Sequence, residues 1–180
     1  ICGGTTATGA VQSIASVGTS GQVLTSNGAG LLPTFQAAAG GGTTTIYIPA
    51  SAMHPSTTNG AAVEQVEYVT NDQDIYDLAF DTTTQEFGQF TLELPSTWNA
   101  GTITAKFHWT NAAGLTTETV RWGLQGYCYT DSDALDVAWG SGQVVDDTWL
   151  AQNDMHITDA TPAITIGGTV ATGKPIQFRV

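Results

Sequence analysis

Alternating apolar and polar residues predict short β-strands along most of the chain. In "TITAKFHWT", every second residue from Ile103 to Trp109 is apolar, and the residues between them are polar. The run "QFTLEL" likewise directs Phe90, Leu92 and Leu94 to one face. Because successive side chains of a strand point to opposite faces, each run predicts one face in a core and one face outside it.

The longest predicted strand, "TVRWGLQGYCY", has two faces of different character. One face is apolar, with Gly126 in register, and carries Val120, Trp122, Leu124 and Cys128. The other face is polar and aromatic and carries Arg121, Gln125, Tyr127 and Tyr129. Tyr127 and Tyr129 are candidates for contact with a sugar or another subunit, because a phenol offers a flat apolar face and a hydrogen-bonding group.

Further strands are predicted for "IYI" at 46, "VEQVEYV" at 63, "IYDLAF" at 75, "QVV" at 143, "MHIT" at 155, "AITI" at 163 and "IQFRV" at 176. About nine or ten short strands at this spacing indicate an all-β fold, a β-sandwich for which the jelly roll suits the length best. One short helix is predicted within "DSDALDVAWGS", with Asp131 or Ser132 as its N-cap and Gly140 at its end. This domain is placed at residues 44–180.

Residues 1–43 have a different composition, rich in Gly, Ala, Thr and Ser. Such a segment buries too little apolar surface by itself to offset the entropy lost on ordering. Apolar residues nevertheless recur along it too regularly for a plain spacer. If several copies wrap round a common axis, they form a shared stem core of Val11, Ile14, Val17, Val23, Leu24 and Phe35. We therefore predict an extended stem or linker that becomes ordered by association.

Composition narrows the class of partner. Sixteen Asp and Glu against four Lys and Arg give a net charge of -12, which disfavours nucleic acid and anionic membrane surfaces. No apolar run approaches the roughly 20 residues that span a bilayer, so no membrane insertion is expected. Thirty threonines favour pleated strands over helices. With only Cys2 and Cys128 present, a disulfide framework is not expected, and Cys128 is predicted to be a small buried residue.

The residues that could carry catalysis or hold a cofactor form no marked pattern. "GTVATGKP" has the glycines and lysine of a phosphate-binding loop, but Pro175 stands where that loop needs Ser or Thr, so a hairpin is predicted instead. His54, His108 and His156 lie far apart and are expected at the surface or in loops. The acidic stretches lack the spacing of a calcium loop. We predict no catalytic residue, no cofactor and no bound metal.

Two stretches carry a resemblance to virion proteins of tailed bacteriophages. The lead-in "GTSGQVLTSNGAGLLPTFQ" resembles the glycine-rich segment that precedes a distal domain in phage fibres. The body, including "DLAFDTTTQEFGQFTLELPSTWNAGTITAKFHWT" and "VRWGLQGYCYTDSDALDVAWGSGQVV", resembles the knob domain that follows such lead-ins. The resemblance implies a homotrimeric fibre on the virion surface, with a stem of three ribbons and a β-sandwich knob that attaches to a host-surface glycan or protein. Other virion proteins of the tail or capsid would be its partners.

Two alternatives stay open. One is a capsid decoration, head fibre or cement protein that binds no receptor. The other is a glycan-degrading tail spike that uses carboxylates such as Glu86, Glu93 or Asp131.

Overall fold

The computed structural model describes residues 14, 16–37, 43–98 and 101–180. The chain divides into two units, Ile1–Thr44 and Thr45–Val180. Within the described ranges the structure is all-β, and its one helical element is the 3-10 turn Ala50–Ala52. None of the helical structure in these ranges is long and apolar enough to cross a membrane.

In the N-terminal unit, strand β1 (Gln22–Thr25) pairs with β2 (Thr34–Ala37) in an antiparallel hairpin. The pairing sets Leu24 opposite Phe35. Gly28 and Gly30, in the loop between the strands, both have positive φ, which a residue without Cβ adopts at low cost. The segment was expected to be one extended ribbon, but over these residues it turns back on itself.

The described residues of the C-terminal unit contain ten strands. They are β3 (His54–Pro55), β4 (Ala62–Tyr68), β5 (Gln73–Ala79), β6 (Gly88–Glu93), β7 (His108–Trp109), β8 (Thr119–Cys128), β9 (Gln143–Thr148), β10 (His156–Ile157), β11 (Gly167–Gly168) and β12 (Pro175–Arg179). Six of them form one sheet in the order β11-β8-β12-β6-β3, with β9 also paired to β8. The pairs β4-β5 and β7-β10 form two separate two-stranded sheets. The unit is thus all-β with several sheets, consistent with a β-sandwich.

The apolar core lies on one face of the six-stranded sheet. Ile176 and Phe178 of β12 are almost fully buried, and the ring of Phe178 stacks on Phe90 of β6 at 5.1 Å between centroids. Cys128 is fully buried and is a free thiol, which confirms its prediction as a small core residue. Gly126 completes this face, since a Cβ there would lie 2.9 Å from the Phe178 ring. The predicted alternation in β6 and β8 is therefore confirmed, and "IQFRV" is the strand β12 as predicted.

Residues 103–109 keep the predicted alternation, although only β7 is a regular strand. Ile103, Ala105, Phe107 and Trp109 are all half-buried. Their partner segment advances by three residues for every two: Thr158 N–H donates to Phe107 O, Thr161 N–H to Ala105 O, and Ile164 N–H to Ile103 O. The buried hydroxyls of Thr158 and Thr161 accept the return bonds, from the Phe107 and Ala105 N–H groups at 3.1 and 3.0 Å. Two threonine side chains thus replace main-chain acceptors.

His156, which was expected at the surface or in a loop, is buried instead. Its ring stacks on Trp109 across the β7-β10 pair, with centroids 4.3 Å apart. The Trp109 indole N–H donates to Asp147 at 2.7 Å. The prediction for His156 is wrong because the pairing partner that covers it lies 47 residues away in sequence.

The helix predicted within residues 131–141 is also absent. Ser132 has a φ of 69°, in the left-handed region that a right-handed helix excludes. The Asp133 carboxylate accepts from the Thr130 N–H at 2.7 Å and so closes a turn. Gly140 donates to Gly126 O and lies too close to the backbone of Thr165 for any side chain. The acidic and glycine residues that resemble helix caps therefore shape a turn that runs back along β8.

The segment "GTVATGKP" is a loop between β11 and β12, but these strands do not pair with each other as a hairpin would. β11 pairs parallel to β8 at Tyr127 and Cys128, and β12 pairs antiparallel to the same stretch. The loop therefore crosses the end of β8, and the hairpin prediction is wrong in its pairing.

Candidate functional site

The outer face of the six-stranded sheet, opposite the core, collects polar and aromatic side chains from three strands. We call this surface the outer face; it comprises Gln89, Thr91, Gln125, Tyr127, Tyr129, Gln177 and Arg179. All except Thr91 are half-buried, because neighbouring side chains on adjacent strands cover one another. These positions alternate with the core residues, so the packing that fixes the core also fixes this surface.

A chain of hydrogen bonds joins side chains of β6 and β12. Thr91 Oγ1 donates to Gln177 Oε1 at 2.5 Å, and Gln177 Nε2 donates to Gln89 Oε1 at 3.1 Å. Gln89 Nε2 then donates to Ser56 Oγ at 2.7 Å. The strand register places Gln177 directly between Thr91 and Tyr127. Each carboxamide is thus held at both ends, which orients the remaining donors and acceptors.

Arg179 lies in the next row, between Gln89 and Gln125. Its guanidinium carbon is 4.2 Å from the centroid of the Phe87 ring and 5.0 Å from that of Trp139. The amide oxygen of Gln125 is oriented toward Arg179 and accepts hydrogen bonds from this guanidinium. Burial lowers the pKa of Arg179, although an arginine still stays charged at any physiological pH. The outer face therefore holds a fixed cation in a strongly acidic chain.

The two tyrosines form a tilted aromatic pair at one end of the outer face. Their ring centroids are 5.0 Å apart, and Tyr129 Oη donates to Leu135 O at 3.0 Å. A Cβ at Gly167 would lie 2.6 Å from the Tyr127 ring, so only glycine allows β11 to approach it. Burial, and then the nearby Tyr127 and Asp136, raise the pKa of Tyr129, so its hydroxyl remains a neutral donor. The structure brings both predicted contact residues together.

This arrangement has groups that can bind a polar ligand. Flat aromatic faces, oriented carboxamides and a fixed guanidinium can stack on and hydrogen-bond to a polar ligand such as a sugar. Among the described residues, no group of three His, Cys, Asp or Glu side chains could hold a metal ion. Of the carboxylates considered for hydrolysis, Glu86 accepts from the Asp81 N–H at 2.6 Å, Glu93 lies on β6, and Asp131 lies in the turn after β8.

The predicted stem residues occupy several environments in one chain. Val11 lies outside the described residues, whereas Ile14 and Phe35 are half-buried. Val17 is 95% exposed, and Val23 and Leu24 are also exposed. Phe35 packs beside Gly18, where a Cβ would come within 2.7 Å of the ring. A single chain therefore leaves Val17, Val23 and Leu24 in contact with water.

Sequence reasoning found the tyrosines but missed the carboxamide chain and Arg179. A signal was available in "IQFRV", where Gln177 and Arg179 alternate with the core residues Ile176 and Phe178. The partners could not be read locally, because Gln177 and Thr91 are 86 residues apart.

No protein-family model, no curated protein and no solved structure matches this chain.

Proposed function

We propose that this chain is a structural protein of a tailed-bacteriophage virion, a homotrimeric fibre that attaches to the host surface. In this proposal residues 1–43 form a stem shared by three copies, and residues 44–180 form a knob of jelly-roll type. The observation that carries the proposal is the exposure of Val17, Val23, Leu24 and Leu31 in the N-terminal unit. Apolar side chains that recur along a segment and remain exposed in one chain favour burial between chains.

The outer face is the proposed receptor-binding surface. It offers two tyrosine rings, oriented carboxamides and Arg179, and these groups suit the hydroxyls and apolar ring faces of a glycan. Three such surfaces on one fibre would bind together, so that modest affinity at each site yields firm attachment.

An array of bacterial surface polysaccharides tests this assignment. The 180-residue protein should bind at least one polysaccharide, and Tyr127→Ala or Gln177→Ala should weaken binding about tenfold or more. Tyr47→Ala, which removes an exposed tyrosine elsewhere, is the matched control and should bind normally. Association with capsids and with no polysaccharide would favour the head-fibre alternative, whereas release of reducing sugar ends would favour the spike enzyme.

A further inference from the structure

The β4-β5 hairpin is a two-stranded sheet whose outer edges pair with no other strand among the described residues. Its seven residue pairs run without a bulge, and neither strand pairs with a third strand among the described residues. Edge strands are usually protected by charged side chains, Pro or bulges, and residues 62–79 contain carboxylates but no Lys, Arg or Pro. Carboxylates repel an acidic strand but attract a basic one. A lone hairpin is at best marginally stable in water. The hairpin therefore has unpaired main-chain groups along its edge, and an added strand would increase its stability.

The cross-strand pairs of the hairpin combine apolar contacts with like charges. Val66 lies opposite Ile75, while Glu64 lies opposite Asp77 on the same face. A second acidic pair, Glu67 with Asp74, lies on the other face. Like charges directly opposite each other destabilise a hairpin, so cations brought beside them would stabilise it.

A groove at the base of the hairpin extends this negative surface. It has a volume of about 490 Å³ and is lined in part by Ala62, Ala79, Asp81 and Glu86. Hydrogen bonds from Thr83 lower the pKa of Asp81, so this carboxylate stays ionised at neutral pH. A basic side chain at the end of an added strand would find its counter-charge here.

A second copy of this chain does not suit this surface. Each copy carries a net charge of -12, and another hairpin would bring five more carboxylates and no cation. Two of the four basic side chains are engaged elsewhere: Arg121 pairs with Asp146 at 2.6 Å, and Arg179 lies between aromatic rings. Charge complementarity therefore favours a basic segment from a different protein.

We propose that the free edge of β4 binds an extended, lysine- or arginine-rich segment of another protein as a third strand. We assign the edge of β4 because the 3-10 turn Ala50–Ala52 lies beside β5. The main chain of the added strand would pair with β4, its basic side chains would neutralise Glu64 and Asp77, and its apolar side chains would cover Val63 and Tyr76. This interaction requires neither a trimer nor a glycan.

Amide hydrogen exchange of the 180-residue protein, followed by NMR, tests the proposal with a capped nonapeptide that alternates lysine and valine. We expect exchange of the β4 amides to slow about tenfold at saturation, and binding to weaken about tenfold between low and moderate salt. A peptide with proline at its central valine has the same charge but cannot complete the strand, and it should protect no β4 amide.

Two charge-matched variants identify the surface. Replacing Glu64, Glu67, Asp74 and Asp77 with their amides should weaken peptide binding about tenfold. The same change at four exposed carboxylates elsewhere should preserve binding within about twofold; these are Glu93, Asp131, Asp154 and Asp159. Equal loss in both variants, equal protection by the proline peptide, or protection of β4 by calcium alone would overturn the proposal.

Discussion

The buried hydroxyl of Thr158 should contribute measurably to stability, because it completes a strand pairing that the main chain alone leaves unfinished. It accepts from the Phe107 N–H at 3.1 Å and donates to Asp159 O at 2.7 Å. Thr158→Val keeps the shape of the side chain but removes both bonds. The carbonyl of Asp159 belongs to an exposed residue and can turn to water, whereas the N–H of the half-buried Phe107 loses the acceptor supplied by Thr158, a residue only 1% exposed. An unpaired buried donor costs about 1–3 kcal/mol, and because Phe107 is half-buried while Thr158 is buried we expect a loss of about 1–2 kcal/mol.

Urea unfolding followed by tryptophan fluorescence measures this loss. With an m-value of about 2 kcal/mol per molar, the midpoint should fall by about 0.5–1 M. Thr165→Val, an exposed position in the same segment, is the control and should change the free energy of unfolding by less than about 0.5 kcal/mol. If Thr158→Val were as mild as this control, the hydroxyl would not be part of the pairing, and the described geometry of this segment would be refuted.

Three further changes probe the core, the hairpin and the stem. Gly126→Ala should lower the free energy of unfolding by about 1–3 kcal/mol in the same urea experiment, since its Cβ meets Phe178 and Ile166 at 2.9–3.0 Å; an unchanged midpoint would contradict this packing. Burial and Glu64 raise the pKa of Asp77 above its unfolded value, so the folded state binds more protons and the hairpin gains stability as pH falls through that raised pKa. In Asp77→Asn this gain in hairpin stability should be smaller. Amide exchange of the hairpin at pH 7 and pH 4 measures the gain in both proteins, and an equal gain in the variant would contradict the role of Asp77. Leu24→Asp should weaken assembly by placing a charge in the shared stem, whereas Thr117→Asp at an exposed site should not. Sedimentation velocity measures the assembly of both variants, and equal assembly of the two would contradict the shared stem core.

Local sequence patterns predicted the strands that pair through regular main-chain hydrogen bonds. Period-two alternation predicted β6 and β8, because one face of each contributes to the core cluster, through Phe90 and through Leu124 and Cys128. The alternation of residues 103–109 was equally visible, yet most of them form no regular ladder. Their pairing depends on the hydroxyls of Thr158 and Thr161, about 50 residues away, which no local pattern reveals.

The helix predicted within residues 131–141 is wrong because residues typical of helix caps also occur in turns. Asp131, Ser132 and Gly140 have the composition and spacing of helix ends, but the same residue types also suit turns. Hydrogen bonds with β8 and with the residue after it favour the turn over the helix. The Gly140 N–H donates to Gly126 O, and the Tyr129 hydroxyl donates to Leu135 O. Tertiary hydrogen bonds therefore override a weak local preference.

The candidate site was predictable only in part. Tyr127 and Tyr129 follow from their position opposite the apolar face of one strand. The carboxamide chain depends on the register between β6 and β12, which joins residues far apart in sequence. Arg179 appeared as one of four scattered cations, and only the fold shows that it lies against Phe87 and Trp139.

The mass of the purified 180-residue protein in solution tests the fibre proposal most directly. Light scattering coupled to size-exclusion chromatography should give about 56 kDa, three times the 18.7 kDa of one chain, and removal of residues 1–43 should reduce this assembly. A single species of 18.7 kDa across the concentration range would contradict a stem core shared by three copies.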